Sequence, residues 1–311
     1  MGYLLIVLTI LIWGCTFSST RVLLKDFSSI EIQLLRFSLA WIALLILGKC
    51  MRQPFRKFPA VGWRQRLREE ATFAGLGFFG ITVCQFLENC AIDYTNASNV
   101  AALDSTGAII TAVMLWMFLG VSVLTRRFFL GSLIAMVGVV MVGVNGVVNF
   151  QLHPIGDLMA IAAKFSWGGY SVILERANRR GVPTIEGMRR AFFWTLAFSV
   201  PLALLGTTDW GGAALGGSLK LTLDAGANAA RFASLANWGH ILFLGVLASA
   251  IGYASWNYAC AVLGSVKTSF ALYFTPVAGV AFAMMFLGEP FTWISILGGL
   301  LILLGVKVAQ A

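Results

Sequence analysis

The chain has 311 residues, 59% of them hydrophobic and only 11% charged, with a net charge of +9 at pH 7 and a mean hydropathy of +0.86. Globular chains carry about 45–50% apolar and about 25% charged residues, so a pair of soluble domains is excluded in favour of a helical membrane protein. Lys and Arg gather in short loops between apolar segments, which excludes a nucleic-acid surface. Five cysteines and two histidines, His153 and His240, imply neither a disulfide framework nor a metal site, and no cofactor is expected.

In chain order the apolar segments fall at about 3–24, 32–51, 71–92, 97–119, 128–147, 155–176, 187–206, 238–262, 266–287 and 290–308. Each is close to the roughly 20 residues needed to cross about 30 Å of hydrocarbon. Backbone groups at that depth must pair internally, so each segment is predicted to be a helix. The first lacks a preceding basic residue and a small-residue cleavage pattern, so it reads as a span and not as a signal peptide. Gly75-Leu-Gly77-Phe-Phe-Gly80 matches a dinucleotide fingerprint by letters alone. It lies inside a span, where small residues serve helix packing.

Orientation follows from the loops. One alternate set holds Lys49, Arg52, Arg56, Lys57, Arg64, Arg66 and Arg68, then Arg126 and Arg127, then Arg176, Arg179, Arg180, Arg189 and Arg190. The opposite set keeps Arg21, Lys25, Lys220 and Arg231. Both termini are therefore expected on the cytoplasmic side of a bacterial-type inner membrane.

The chain also repeats itself. A shift of 168 places 76–143 on 244–311, with Leu76-Gly77 on Leu244-Gly245, Asn89 on Asn257, Ala91 on Ala259, and Met117-Phe-Leu-Gly120 on Met285-Phe-Leu-Gly288. A shift of 154 puts Trp13-Gly14 on Trp167-Gly168. Five spans per repeat, an odd number, turn the second copy upside down in the membrane. The expected fold is thus all-α integral membrane, ten transmembrane helices as two inverted five-helix repeats, residues 1–150 and 151–311. Inverted repeats of this kind mark secondary transporters, whose substrate site lies near the midplane between the halves.

Four short motifs carry a resemblance: Trp13-Gly14 with Trp167-Gly168; Glu88-Asn-Cys-Ala91 followed by Tyr94-Thr-Asn-Ala-Ser98; Tyr273-Phe-Thr-Pro-Val277; and Phe286-Leu-Gly-Glu-Pro290. In their order and spacing they resemble the EamA-type family of the drug/metabolite transporter superfamily over essentially the whole chain. Gly252-Tyr-Ala-Ser-Trp-Asn-Tyr258 further resembles that family's aromatic amino acid exporter branch. The resemblance implies a central cavity open alternately to each side and export of amino acids or related metabolites. The chain departs from the family pattern twice. Gly288-Glu289 has no counterpart after Gly120, where Val121 stands, and the mid-span proline Pro276 is matched by Ala108. Pro276 is therefore an expected hinge, and the fourth span should be straighter than the ninth.

Ionisable residues within spans cost at least about 2.5–3.5 kcal/mol at the helix centre and mark cavities or interior pairs. Arg36 reads as snorkelling, or as pairing with Glu31 or a lipid phosphate. Glu88 reads equally as a structural hydrogen-bonding group or as a cavity residue. Asp104 and Lys164 lie at matching depths of about 11 and 14 Å. They are expected to pair across the halves, to face the cavity and receive an ammonium and a carboxylate, or to find separate partners. Trp13, Trp167, Tyr170, Tyr253, Trp256, Tyr258 and Tyr273 offer aromatic walls for an amphipathic solute, or simple packing. Asn89 and Asn257, at equivalent repeat positions, need partners on both sides of the amide. A zwitterionic substrate follows from one charge of each sign. A quaternary ammonium drug or a nucleotide sugar stands as the alternative cargo, and an integral membrane enzyme finds no motif to support it. The expected partners are a small-molecule substrate and membrane lipid, with a homodimer left open.

Overall fold

The computed structural model describes residues 1–50, 62–95, 97–144, 153–287 and 292–310. Arg52, Arg56 and Lys57 of the basic loop, Asn96, and the Gly288-Glu289-Pro290 motif lie outside the described residues. Among those described, every regular element is helical. The long elements in chain order are α1 (Gly2–Leu23), α2 (Ser29–Cys50), α3 (Trp63–Tyr94), α4 (Asn99–Leu119), α5 (Arg126–Gly143), α6 (Pro154–Arg179), α7 (Thr184–Leu205), α8 (Leu235–Leu263), α9 (Thr275–Leu287) and α10 (Trp293–Gln310).

Among the described residues, eight of these are long and apolar enough to cross a membrane, and α6 and α9 do not meet both conditions. The reasons differ. α6 runs 26 residues but carries Asp157, Lys164, Glu175 and Arg176, which lower its hydropathy. α9 is only 13 residues, because the chain reaches it through a short helix, Ser265–Ser269, and a 3₁₀ stretch, Phe270–Phe274.

Irregular backbone concentrates in the middle of the bundle. α3 and α8 each contain a π-helical stretch, Phe78–Val83 and Phe243–Ile251, and the 168-residue shift maps the first inside the second. Such widened turns are rare and re-aim the side chains that follow them. In α3 the Thr82 hydroxyl donates to the Gly77 carbonyl at 3.0 Å, five residues back, capturing a group that the wide turn displaces. Between the two, the glycines of the 75–80 motif face neighbours as packing sites do: a Cβ on Gly77 would meet the Ala191 carbonyl at 2.5 Å, and one on Gly80 the Tyr170 ring at 2.1 Å.

The expected contrast between a kinked ninth and a straight fourth span is not observed. Pro276 occupies the first turn of α9, where its missing N–H costs little. α4 is itself interrupted at Ser105-Thr106, immediately after Asp104. There Ser105 Oγ donates to Ala102 O at 2.6 Å and Thr106 Oγ1 to Leu103 O at 2.7 Å. Hydroxyls that bond back to the preceding turn compete with the helix ladder, so this pair opens α4 without a proline.

Two contacts brace the frame. α5 and α10 pack almost backbone to backbone, since a Cβ on Gly138 would lie 2.4 Å from the Gly298 carbonyl. Close approach through small residues is how helices associate where lipid removes the hydrophobic drive. At one end of the bundle Glu31, in the first turn of α2, binds Arg231 of a short helix, Ala225–Ala233, at 2.8 Å and accepts the Ser28 and Thr222 amides. Glu31 is therefore taken, and Arg36 does not pair with it.

Candidate functional site

Seven helices place polar side chains around one cavity with free room of about 40 Å³. After its π-helical stretch, α3 presents Gln85 and Glu88, three residues apart and so on one face. α4 presents Asp104 at the end of its first piece, and α6 presents Lys164 and Trp167, again three apart. α2 supplies Arg36, α1 Trp13, Thr16 and Phe17, and α8 Tyr253. The 3₁₀ stretch and the start of α9 close the wall with Leu272 and Thr275.

The polar groups form one chain. Arg36 Nε donates to Ser249 Oγ at 2.6 Å, and its Nη1 donates to Gln85 Oε1 at 2.5 Å. Gln85 Nε2 then donates to Glu88 Oε2 at 2.6 Å. Lys164 Nζ donates to both Glu88 Oε1 and Asp104 Oδ1. All four ionisable residues are at least nine-tenths buried, and two cations balance two anions. A buried ion pair tolerates desolvation only when such geometry and additional hydrogen bonds are present. The Asp104–Lys164 pair thus forms, with Glu88 as a third member. Arg36 does not snorkel: it is 5% exposed and, among the described residues, its hydrogen bonds go to neutral acceptors.

The aromatic side is equally ordered. Trp13 lies 5.2 Å from Trp256, 5.5 Å from Tyr253 and 5.8 Å from Trp167 between ring centroids, and its indole donates to Ala248 O at 3.0 Å. Tyr253 reaches the Gly80 carbonyl at 3.3 Å. By contrast the buried Trp167 Nε1 and Thr275 Oγ1, on two cavity-lining residues, have no hydrogen-bond partner among the described residues.

Of the residues singled out from sequence, Trp13, Glu88, Asp104, Lys164, Trp167 and Tyr253 line the cavity. Trp256 stands behind Trp13 and Trp167 as packing. Tyr170 donates to Asn257 Oδ1 at 2.5 Å, and Asn257 Nδ2 contacts Met188 Sδ, so this pair joins α6, α7 and α8 behind the cavity. Asn89 is buried with Nδ2 unpartnered and outside the lining. Tyr273 also turns away, packing with Phe128 and Ala108 against α4 and α5. A 3₁₀ helix turns about 120° per residue, so it cannot share a face with Leu272. Tyr258 is 41% exposed on the outside of the bundle. Thr16, Phe17, Arg36, Gln85, Leu272 and Thr275 are the lining residues that sequence reasoning did not assign to the cavity.

Eight apolar spans and a charge-balanced cavity among the described residues fit a multi-pass membrane protein, and the family that the chain matches makes it a transporter. Residues 1–144 and 154–309 match the EamA-like transporter family, and the chain belongs to it. It is 25% identical to an "Uncharacterized transporter" of Archaeoglobus fulgidus, over 99% of this chain and 97% of that one. It is 25% identical to a "Probable terminal-alkyne amino-acid exporter" of Streptantibioticus cattleyicolor, over 97% of this chain and 91% of the other. With a "Probable amino-acid metabolite efflux pump" of Salmonella typhimurium it shares 24% identity over 98% of this chain and 93% of the relative. One crystal structure superposes with a TM-score of 0.70 at 18% identity, covering 99% of this chain and 96% of the other, which establishes a shared fold. Family and relatives point to transport and away from enzymatic chemistry.

Proposed function

We propose that the protein exports amino-acid-class zwitterions across the inner membrane by alternating access, with both termini cytoplasmic. In this reading ten helices form two inverted repeats. Support comes from π-helical stretches in α3 and α8 that overlap under the 168-residue shift, and from breaks at Ser105-Thr106 and Phe270–Phe274 that do the same.

The observation that carries the substrate class is the buried guanidinium of Arg36. Among the described residues its hydrogen bonds go to neutral acceptors, while two carboxylates stand further along the same hydrogen-bonded chain. Arg36 then takes the substrate carboxylate, helped by the unpartnered Trp167 N–H and Thr275 hydroxyl, and the Asp104 side takes the ammonium. The aromatic wall of Trp13, Trp167 and Tyr253 suits an apolar side chain. The Streptantibioticus and Salmonella relatives are named for an amino acid and for amino-acid metabolites, which supports this substrate class.

The test is uptake into proteoliposomes of a panel of radiolabelled amino acids. At least one should be carried by the wild type, and Arg36→Gln should reduce that transport about 10–100-fold, the effect of one charge-assisted hydrogen bond. Transport of quaternary ammonium compounds or nucleotide sugars with no amino acid carried would overturn the reading.

A further inference from the structure

Lys164 stands in an unusual position for a group meant to bind a substrate carboxylate. Its ammonium is enclosed by Glu88 and Asp104, each of which accepts from Nζ. Both carboxylates line the cavity, and both residues are less than a tenth exposed. An ammonium held between two buried carboxylates is the arrangement that an incoming primary ammonium would itself adopt.

We propose that Glu88 and Asp104 form a primary-ammonium site whose resident occupant is the protein's own Lys164, which a substrate ammonium must displace. This rests on the zwitterion reading above and adds what holds the site before substrate arrives. An empty site would leave buried anions uncompensated, which is strongly destabilising. A tethered lysine removes that cost. It also competes with free amines at an effective concentration in the millimolar range or above, so only a ligand with further contacts, such as a carboxylate on Arg36, displaces it.

Two features give the displaced side chain somewhere to go. Nζ lies 6.0 Å from the Trp167 ring centroid, at the outer limit of a cation–π contact, so a small rotation about the stem brings the charge over the indole face. The stem runs past Gly107, where a Cβ would lie 3.2 Å from Lys164 Cδ. Any larger residue at this position would crowd the swing.

The test is chemical rescue in the full-length protein, purified in detergent. Lys164→Ala removes the four atoms of a propylamine. Melting of this variant is followed with n-propylammonium chloride, and with tetramethylammonium chloride at equal ionic strength. We expect a saturable rise of about 2–4 °C with n-propylammonium at ten times its dissociation constant. Tetramethylammonium, which has no N–H to donate, should give no saturable rise. Wild-type protein should need at least tenfold more n-propylammonium for the same shift, because Lys164 competes. Where Lys164→Ala alone does not purify, Glu88→Gln with Lys164→Ala keeps one carboxylate, lowers the buried charge and should show the same selectivity. Equal response to both cations, equal response of wild type and variant, or no response in either variant would overturn the proposal, as would failure to recover both variants even with the amine present. Rescue without amino-acid transport would leave the ammonium site standing and sink the zwitterion reading. Amino-acid transport without rescue would do the reverse.

Discussion

The two halves of the chain meet at one cavity with opposite chemistries. Under the 168-residue shift Gln85, Glu88 and Asp104 of the first half fall on Tyr253, Trp256 and Leu272 of the second. Gln85, Glu88 and Asp104 line the cavity with polar groups, while Tyr253 and Leu272 line it with apolar surface and Trp256 backs that wall. The lysine that neutralises the first set comes from the second half, where its own counterpart under the 154-residue shift is Ile10. Trp13 and Trp167 are the same in both and both line the cavity. The difference teaches that helix paths and side-chain chemistry separate: at positions related by the shift the π-helical stretches and breaks coincide, while the side chains differ. One wall is charged and the other is aromatic and aliphatic.

The comparison is broken most severely at the charged wall. Lys164→Met leaves Glu88 and Asp104 buried without a counter-charge, at a cost of about 3–5 kcal/mol, and should collapse the yield of folded protein in detergent size-exclusion profiles. Replacing all three, Lys164→Met with Glu88→Gln and Asp104→Asn, removes the charges together and should recover most of the yield. Transport should stay abolished. A triple variant as unstable as the single one would mean that the charges hold the halves together and do not serve the cargo.

A smaller break separates the repeat-related asparagines. Asn257 accepts from the buried Tyr170 hydroxyl, whereas Asn89 carries a buried Nδ2 with no partner. Asn257→Ala leaves that hydroxyl only a long 3.8 Å contact to Met188 Sδ and should cost about 1–3 kcal/mol. Asn89→Ala removes a group already unsatisfied and should change apparent melting far less. Sequence equivalence alone had made the two look interchangeable. The same limit runs through the site. Charges inside apolar runs were legible because their cost is independent of the fold, and depth along a helix was enough to bring Asp104 and Lys164 together. What one dimension does not carry is the facing of each helix. Glu31 looked like the nearest partner for Arg36 until the connection after α7 brought Arg231 onto it, and Arg36 turned inward to Gln85. Tyr273 and Leu272 are adjacent in sequence and opposite in space. Ser105-Thr106 was read as ordinary helix because hydroxyl back-bonding leaves no mark as plain as a proline.

That last point supplies the finest test, the one with the smallest expected effect. Ala108 is the repeat counterpart of Pro276, and Ala108→Pro would write the second half's break into the first. In an unbroken helix a proline costs about 3 kcal/mol or more, through a lost hydrogen bond and a clash with the preceding turn. Here Ala108 is the second residue of the piece that restarts at Gly107, and its amide makes only a 3.3 Å bond to Ser105 O. The residue before Pro276, Thr275, has φ −57° and ψ −45°, so the second half already accommodates a proline after a helical residue. Gly107, with no Cβ, presents less bulk to the ring than Thr275 does. Ala108 is 1% exposed, so the added ring atoms must find room among the α5 and α9 side chains. We therefore expect Ala108→Pro to cost about 1 kcal/mol in thermal melting, the low end of what added carbons cost at a packed site, and to retain transport. A loss of 3 kcal/mol or more would mean that α4 is a continuous helix in the membrane, and that the two halves differ in backbone as well as in chemistry.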